Sequence, residues 1–356
     1  MFDISKYTSL TAGLKTAALL DEPLSRHTSL RIGGPAGVFI EVADPFTLAA
    51  LVSRARQTGV EVMFIGGGTN LLFSDAGFEG AVICLKGLRG YEVLNKSATN
   101  KLGTAPYLSP QGINENKLEN KLGPSLIYPA LIYPEGFGRI RAAAGVALQV
   151  LVQTAAREGL AGMEGLAGIP GTLGGAIAGN SGSFGCEMKD VVESVTVMAA
   201  DGGSVRMENK DVKFGYRTSA LSGGLLTITE AVLRLPASME PGDIAGKVKE
   251  NLQKKRLSQP LDEWSAGCVF KNPPGGFSAG KLIDLCGFKG AREGGIEVGS
   301  RHANFFINTG GATSDDFLRL MDRVAAAVHA AFGVVLEPEI KVIGRHAPAA
   351  AKTDLG

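Results

Sequence analysis

The chain has 356 residues, 45% of them hydrophobic, with 36 basic side chains against 35 acidic ones. That much apolar material can build two or three packed domains, and so even a charge balance excludes nucleic-acid binding by bulk electrostatics. No apolar run reaches the roughly 18 residues of a membrane helix, so no membrane span is expected. The N-terminal stretch MFDISKYTSLTAGLKTAALLDEP lacks the basic start and continuous apolar core of a secretory signal.

A first unit spans residues 20–90. Asp44 and Pro45 open an amphipathic helix with Leu48, Leu51, Val52 and Ala55 on one face and Gly59 at its end. The apolar stretch 60–65 reads as a buried strand that runs into Gly66-Gly67-Gly68. Residues 91–138 read as a polar, low-complexity surface insertion, with NKLG at 100 and 120 and LIYP at 126 and 131. A second unit, 139–236, holds a helix over 148–158, a long glycine loop, and strands over 194–198, 204–207 and 225–235. Asp201-Gly202-Gly203 forms the hairpin turn between the first two strands. The third unit, 237–344, starts with a basic helix that turns Ile244, Val248 and Leu252 inward and Lys247, Lys254, Lys255 and Arg256 outward. Its long final helix is capped at Ser314, carries Phe317, Leu320, Met321, Val324 and Val328, and stops at Gly333. Residues 345–356 read as a disordered tail.

The four cysteines, Cys84, Cys186, Cys268 and Cys286, form no Cys-x-x-Cys pair and have no histidine at zinc spacing. No disulfide framework or metal site is expected, and a reducing cytoplasm is the natural compartment. Cys84, within AVICL, reads as core, whereas Cys186 and Cys286 have no assigned chemistry.

Chemistry concentrates in glycine-rich segments. FIGGGTNLLFSD (64–75) runs a strand into three glycines, Thr69 and Asn70. Successive backbone N–H groups can converge there on an anion, although the spacing is neither a Rossmann nor a Walker fingerprint. In GLAGIPGTLGGAIAGNSGSFG (165–185), eight of 21 residues are glycine, yet the segment is apolar. Such a surface suits a flat aromatic ligand and its pyrophosphate lying on main chain, or close helix packing. FGYRTS (214–219) puts Tyr216 and Arg217 on a turn, SAGCVFKNPP (265–274) holds Cys268 between a small-residue stretch and a Pro turn, and LEPEIKVIG (336–344) alternates Glu337, Glu339 and Lys341 against Leu336, Ile340 and Val342.

IGGGTNLL, GIPGTLGGAIAGNSG, FGYRTS, GCVFKNP, GKLID, GFKG, RHANFFIN and LEPEIKVIG follow one another in the order and spacing of the UDP-N-acetylenolpyruvoylglucosamine reductase (MurB) family, and RHTSLRIGGPAGVFIEV resembles its opening strand region. The resemblance covers residues 20–344 apart from the insertion, and is to the branch that lacks an extra tyrosine loop. It implies an α+β fold: a two-subdomain FAD-binding unit of the vanillyl-alcohol-oxidase (PCMH) type plus a C-terminal α+β substrate-binding domain. It further implies non-covalent FAD held by Gly66, Gly67, Gly68, Thr69, Asn70, Leu71, Gly168, Ile169, Pro170, Gly171, Thr172, Gly174, Gly175, Ala176, Asn180 and Gly182. No histidine lies in either glycine segment.

The reaction so implied is NADPH-driven reduction of the enolpyruvyl ether of a UDP-sugar, with hydride passing from flavin N5 to the vinyl carbon. Negative charge then develops on the neighbouring carbon and its carboxylate, so the site needs a charge stabiliser and a proton donor. By resemblance, Arg217 polarises the carboxylate, Glu339 stands beside it protonated or sharing a proton, and Cys268 occupies the position where many members carry a proton-donating serine. Tyr216, Lys271, Asn272 and Lys341 fall at substrate-contact positions, Lys341 where arginine is common. A thiol can donate only if it stays neutral, and Arg217 opposes that. A monomer is expected. The alternatives are an FAD-dependent oxidase or dehydrogenase of another alcohol or sugar, and a flavin-binding scaffold without catalysis.

Overall fold

The apolar runs of the first unit form a sheet with strands in the order Ala18–Pro23, Pro35–Glu41, Phe78–Cys84 and Val62–Ile65, the first pair antiparallel and the rest parallel. This is the arrangement in the computed structural model, which describes residues 4–94, 136–224, 226–237 and 240–344. Helix Pro45–Thr58 lies on the sheet because its apolar stripe matches the sheet face: Leu48, Leu51, Val52 and Ala55 share a core with Val38, Ile40, Ala81 and Ile83. Asp44 caps the helix, its Oδ1 accepting from the Thr47 amide at 2.8 Å, and Gly59 ends it at φ 66°.

The second sheet is antiparallel throughout, in the order Ser204–Glu208, Val192–Met198, Thr227–Pro236, Phe137–Ala143 and Tyr91–Leu94. Its first hairpin turns at Asp201–Gly203, where the Ala199 amide donates to the Gly203 carbonyl at 2.8 Å and Gly202 has φ 85°. The stretch read as an insertion therefore begins and ends in paired strands, since Tyr91–Leu94 runs against Phe137–Ala143. Residues 95–135, with both NKLG and both LIYP copies, lie outside the described residues, as does 345–356. Helix Leu148–Arg157 buries Leu148, Leu151, Val152 and Ala155 in the core beneath this sheet. Helix Pro241–Ser258 adds Ile244 and Val248 to the same core, although the sequence groups it with the third unit.

The third sheet orders Ser265–Cys268, Phe305–Asn308, Ile296–Val298 and Arg292–Glu293. Helix Ser314–Phe332 packs Phe317, Leu320, Met321, Val324 and Val328 onto it with Phe306. Its cap is Thr313 rather than Ser314: Thr313 Oγ1 accepts from the Asp316 amide at 3.0 Å while Asp316 Oδ2 accepts from the Thr313 amide at 3.0 Å. Ser314 is drawn instead to Asp75, whose Oδ2 accepts from its amide at 2.7 Å and its hydroxyl at 2.8 Å. Strand Lys341–Ile343 then returns to the first unit and pairs parallel with Leu71–Phe73, which leaves the chain's catalytic candidates at the junction of all three cores.

Candidate active site

Arg217 enters the site on a tight turn. The Gly215 amide donates to the Thr218 carbonyl at 2.9 Å, so Tyr216 and Arg217 are the two central residues, and Arg217 takes a left-handed φ of 55°. That conformation aims the guanidinium two ways: Nη2 donates to the Gly182 carbonyl at 2.9 Å, and Nε pairs with Glu339 Oε1 at 3.1 Å. Glu339 is held by its own backbone, its amide donating to the Val269 carbonyl at 2.7 Å, next to Cys268. Burial raises the Glu339 carboxyl's pKa, with Arg217 and Lys271 pulling against it.

Cys268 completes this group. Its thiol is pushed up to about 12 by burial first and by Glu339 second, against the opposing pull of Arg217, a hydrogen bond from Asn304, and Lys255. The thiol is therefore neutral at physiological pH, as a proton donor must be. Tyr216 lies beside the same turn, half exposed, with the Arg217 guanidinium 5.3 Å from its ring centre. Its hydroxyl accepts from the Asn272 amide at 3.4 Å. Asn272 Oδ1 caps the following segment by accepting from the Ala279 amide at 3.0 Å, and Lys271 pairs with Glu337. Tyr216, Lys271 and Asn272 thus stand together at the outer side of the Arg217–Glu339–Cys268 group.

Lys341 does not join them. Its ammonium donates to the Ser222 carbonyl at 2.8 Å, in a cleft lined by Phe64, Gly66, Thr172, Gly175 and Ala178. Both glycine segments meet at that cleft. A Cβ on Gly66 would stand 2.2 Å from Thr172 Oγ1, and one on Gly67 would stand 2.8 Å from the Gly171 Cα, so the two loops pack backbone to backbone. Thr172 caps the short helix Leu173–Ala178 through the Gly175 amide at 3.5 Å. Asn70 ties the first loop to the reaction centre, Nδ2 donating to the Glu339 carbonyl at 3.0 Å. Asn180, expected at the cofactor, is fully buried, and its amide is engaged with protein: Nδ2 donates to the Gly215 carbonyl at 2.8 Å and Oδ1 accepts from the Lys189 amide at 3.0 Å. It shapes the turn that carries Arg217.

Residues 259–343 match a family model described as "UDP-N-acetylenolpyruvoylglucosamine reductase, C-terminal domain", and residues 134–208 match one described as "FAD binding domain". The UDP-N-acetylenolpyruvoylglucosamine reductase of Moorella thermoacetica is 38% identical over 338 residues, covering 94% of this chain and 96% of its own. A second relative of that name, from Symbiobacterium thermophilum, is 36% identical over 328 residues, covering 91% and 92%. The crystal structure of the enzyme from Thermus caldophilus superposes with a TM-score of 0.68 at 31% identity, over 93% of this chain and 99% of that one. The chain belongs to the UDP-N-acetylenolpyruvoylglucosamine reductase family. It is accordingly an FAD-containing oxidoreductase of α+β fold, with an FAD-binding unit of the vanillyl-alcohol-oxidase type and the family's C-terminal domain.

The cleft fits that cofactor on its own chemistry. A flat ring and a pyrophosphate need a smooth wall and a cation. Gly66, Gly174 and Gly175 keep the wall at backbone level, a Cβ on Gly174 coming within 2.9 Å of Ala144 Cβ, and Lys341 on the same cleft would offer a cation. Three residues of this reductase fold were missed from sequence. Gln149 holds the GIPG loop, Nε2 donating to the carbonyls of Leu166 and Ile169 at 3.0 and 2.7 Å and Oε1 accepting from the Gly168 amide at 2.8 Å. Asn304, inside RHANFFIN, is buried and clamps both backbone groups of Phe270 behind Cys268, at 3.0 and 2.7 Å. Lys255, expected to face solvent, is buried at 3% exposure and donates to Ser183 Oγ at 3.0 Å; burial and Arg217 lower its pKa to about 8. Lys255 follows Val248 by seven residues and Ile244 by eleven, so helical spacing sets it on their buried face, while Lys247, Lys254 and Arg256 stay exposed; its charge, not its position, suggested solvent.

Proposed function

We propose that the chain reduces UDP-N-acetylglucosamine enolpyruvate to UDP-N-acetylmuramate with NADPH as the reductant, a step of peptidoglycan precursor synthesis, as a cytoplasmic monomer. The observation that carries this reading is the Arg217–Glu339 pair at 3.1 Å beside a neutral Cys268 thiol, with the Glu339 carbonyl tied to Asn70 of the first glycine segment. Bound FAD supplies the hydride for the substrate's vinyl carbon.

The chain's own residues do the rest. Arg217 neutralises the carboxylate on which negative charge collects, in a partly desolvated place where such a contact is strong. Glu339, its pKa raised by burial, is less costly beside that charge than an ordinary carboxylate. Cys268 protonates the neighbouring carbon: the S–H bond breaks, the C–H bond forms, and the electron pair remains on sulfur. Arg217 and Lys255 then face the resulting thiolate until it regains a proton from solvent. Tyr216, Lys271 and Asn272 contact the substrate outside this centre.

Anaerobic mixing tests the reading. NADPH should bleach the flavin, and the enolpyruvyl UDP-sugar should then restore its colour. A flavin that NADPH reduces but this substrate leaves colourless, while a sugar alcohol reduces it directly, would favour an oxidase instead.

A further inference from the structure

Lys341 sits on the cofactor side of the site, apart from Tyr216, Lys271 and Asn272. We propose that its ammonium is the cation beside the N1–C2=O edge of the bound isoalloxazine, where negative charge collects when the ring is reduced. This rests on the FAD-dependent reaction proposed above, and deepens it.

Position is the first argument. Glu339 and Lys341 are two residues apart, hence at most about 7 Å apart along the chain. Glu339 pairs with Arg217 beside Cys268, where the ring's N5 must lie for hydride and proton to reach adjacent carbons. Lys341 is thus anchored beside that point in the chain, and its ammonium turns to the Ser222 carbonyl, on the cleft side where another edge of the same ring would lie. Register is the second. The Lys341 amide donates to the Asn70 carbonyl at 3.1 Å, which fixes the residue against the GGGTN turn, and its side chain projects into the cleft with Gly66, Thr172 and Gly175. Charge is the third. Among the described residues no carboxylate pairs with Lys341; the Ser222 carbonyl is its partner at 2.8 Å. Partial burial lowers its pKa and no nearby charge raises it. The residue keeps an exposed surface in the cleft, so its ammonium can turn to an anion that arrives with the ligand.

Sulfite is the probe. Its sulfur lone pair forms a bond to N5 of the oxidised ring, and the displaced electron pair settles on N1–C2=O, so adduct formation reads the charge at that edge without substrate or turnover. In the FAD-loaded chain, sulfite should bleach the flavin, and the reduced flavin should remain anionic from about pH 5.5 upward. Lys341→Met should weaken sulfite binding tenfold or more and lower the two-electron midpoint potential by about 30 mV for each tenfold. Lys341→Arg should keep both properties. Unchanged sulfite affinity and potential in Lys341→Met overturn the proposal, as does weaker FAD retention at unchanged potential, which would place the ammonium at the pyrophosphate. Should Lys341→Met lose its flavin altogether, the unsubstituted protein decides: a neutral reduced flavin at about pH 5.5 overturns the idea. A chain that takes up no FAD would instead sink the parent reading.

Discussion

At Cys268 the choice of sulfur over oxygen is tolerable because the site keeps it protonated. Burial and Glu339 together outweigh Arg217 and Lys255, so the thiol titrates near 12 rather than at its usual 9.0. Substrate-driven flavin reoxidation should therefore show no loss from thiol ionisation between about pH 6 and 9. The sign for stability follows: a thiol whose folded pKa is raised favours the fold below its unfolded value and withdraws that support as pH climbs from 9.0 towards 12. Cys268→Ser should keep much of the turnover. Cys268→Ala should spare bleaching by NADPH and slow reoxidation by the enolpyruvyl substrate about 10²–10⁴-fold; full turnover in stopped-flow traces would remove the donor role. Arg217→Ala should show the same split between half-reactions, and equal losses in both would make Arg217 a flavin-positioning residue. The residue types were legible in sequence, as was the turn at Tyr216-Arg217. The neutrality of the thiol was not, because it depends on how Val269, Glu339 and Asn304 enclose it.

At the scale of elements, caps and glycine contacts invite direct tests. Thr313→Ala removes a reciprocal cap from helix Ser314–Phe332 and should cost about 1 kcal/mol in denaturant unfolding. Ser314→Ala should leave the cap intact and loosen the Asp75 contact instead. Gly66→Ala drives a methyl towards Thr172 Oγ1 at 2.2 Å, so the two cofactor loops must part. The purified variant should keep its circular-dichroism spectrum and carry less flavin per chain; an unchanged flavin ratio would show that the loops can shift at no cost. Helix ends were readable because capping is local chemistry between residues three or four apart. The mistake over Thr313 and Ser314 arose because both can cap, and only a distant carboxylate, Asp75, drew the serine away.

For the whole molecule, the decisive feature is that no single core holds the site. Leu30, Ile32 and Leu72 from the first unit are packed with the third core, and strand Lys341–Ile343 runs back along Leu71–Phe73. If FAD binds across the two glycine loops as proposed, it would tie the first and second units together and should act as a folding ligand. Free FAD at about 100 times its dissociation constant should add roughly 2.7 kcal/mol to the stability of the flavin-free protein. A melting temperature indifferent to FAD would argue that the cleft closes on itself without it.

What the sequence determined by itself was everything that short-range physics controls: strands from apolar runs, helices from their stripes and caps, and two glycine segments able to lie against a ligand. Order and spacing of the motifs were enough to indicate the family. Only the tertiary structure decided that Lys255 is buried against Ser183 and that Lys341 lines the cleft between the glycine segments, because a charged residue type suggests solvent without saying what the fold sets against it. It also decided which carboxylate meets Arg217. Glu337 and Glu339 alternate identically in sequence, but one backbone bond from the Glu339 amide to the Val269 carbonyl, at 2.7 Å, brings that glutamate to the guanidinium and the thiol. Charge states follow from such enclosure, since desolvation is a property of a place in the fold rather than of a residue type.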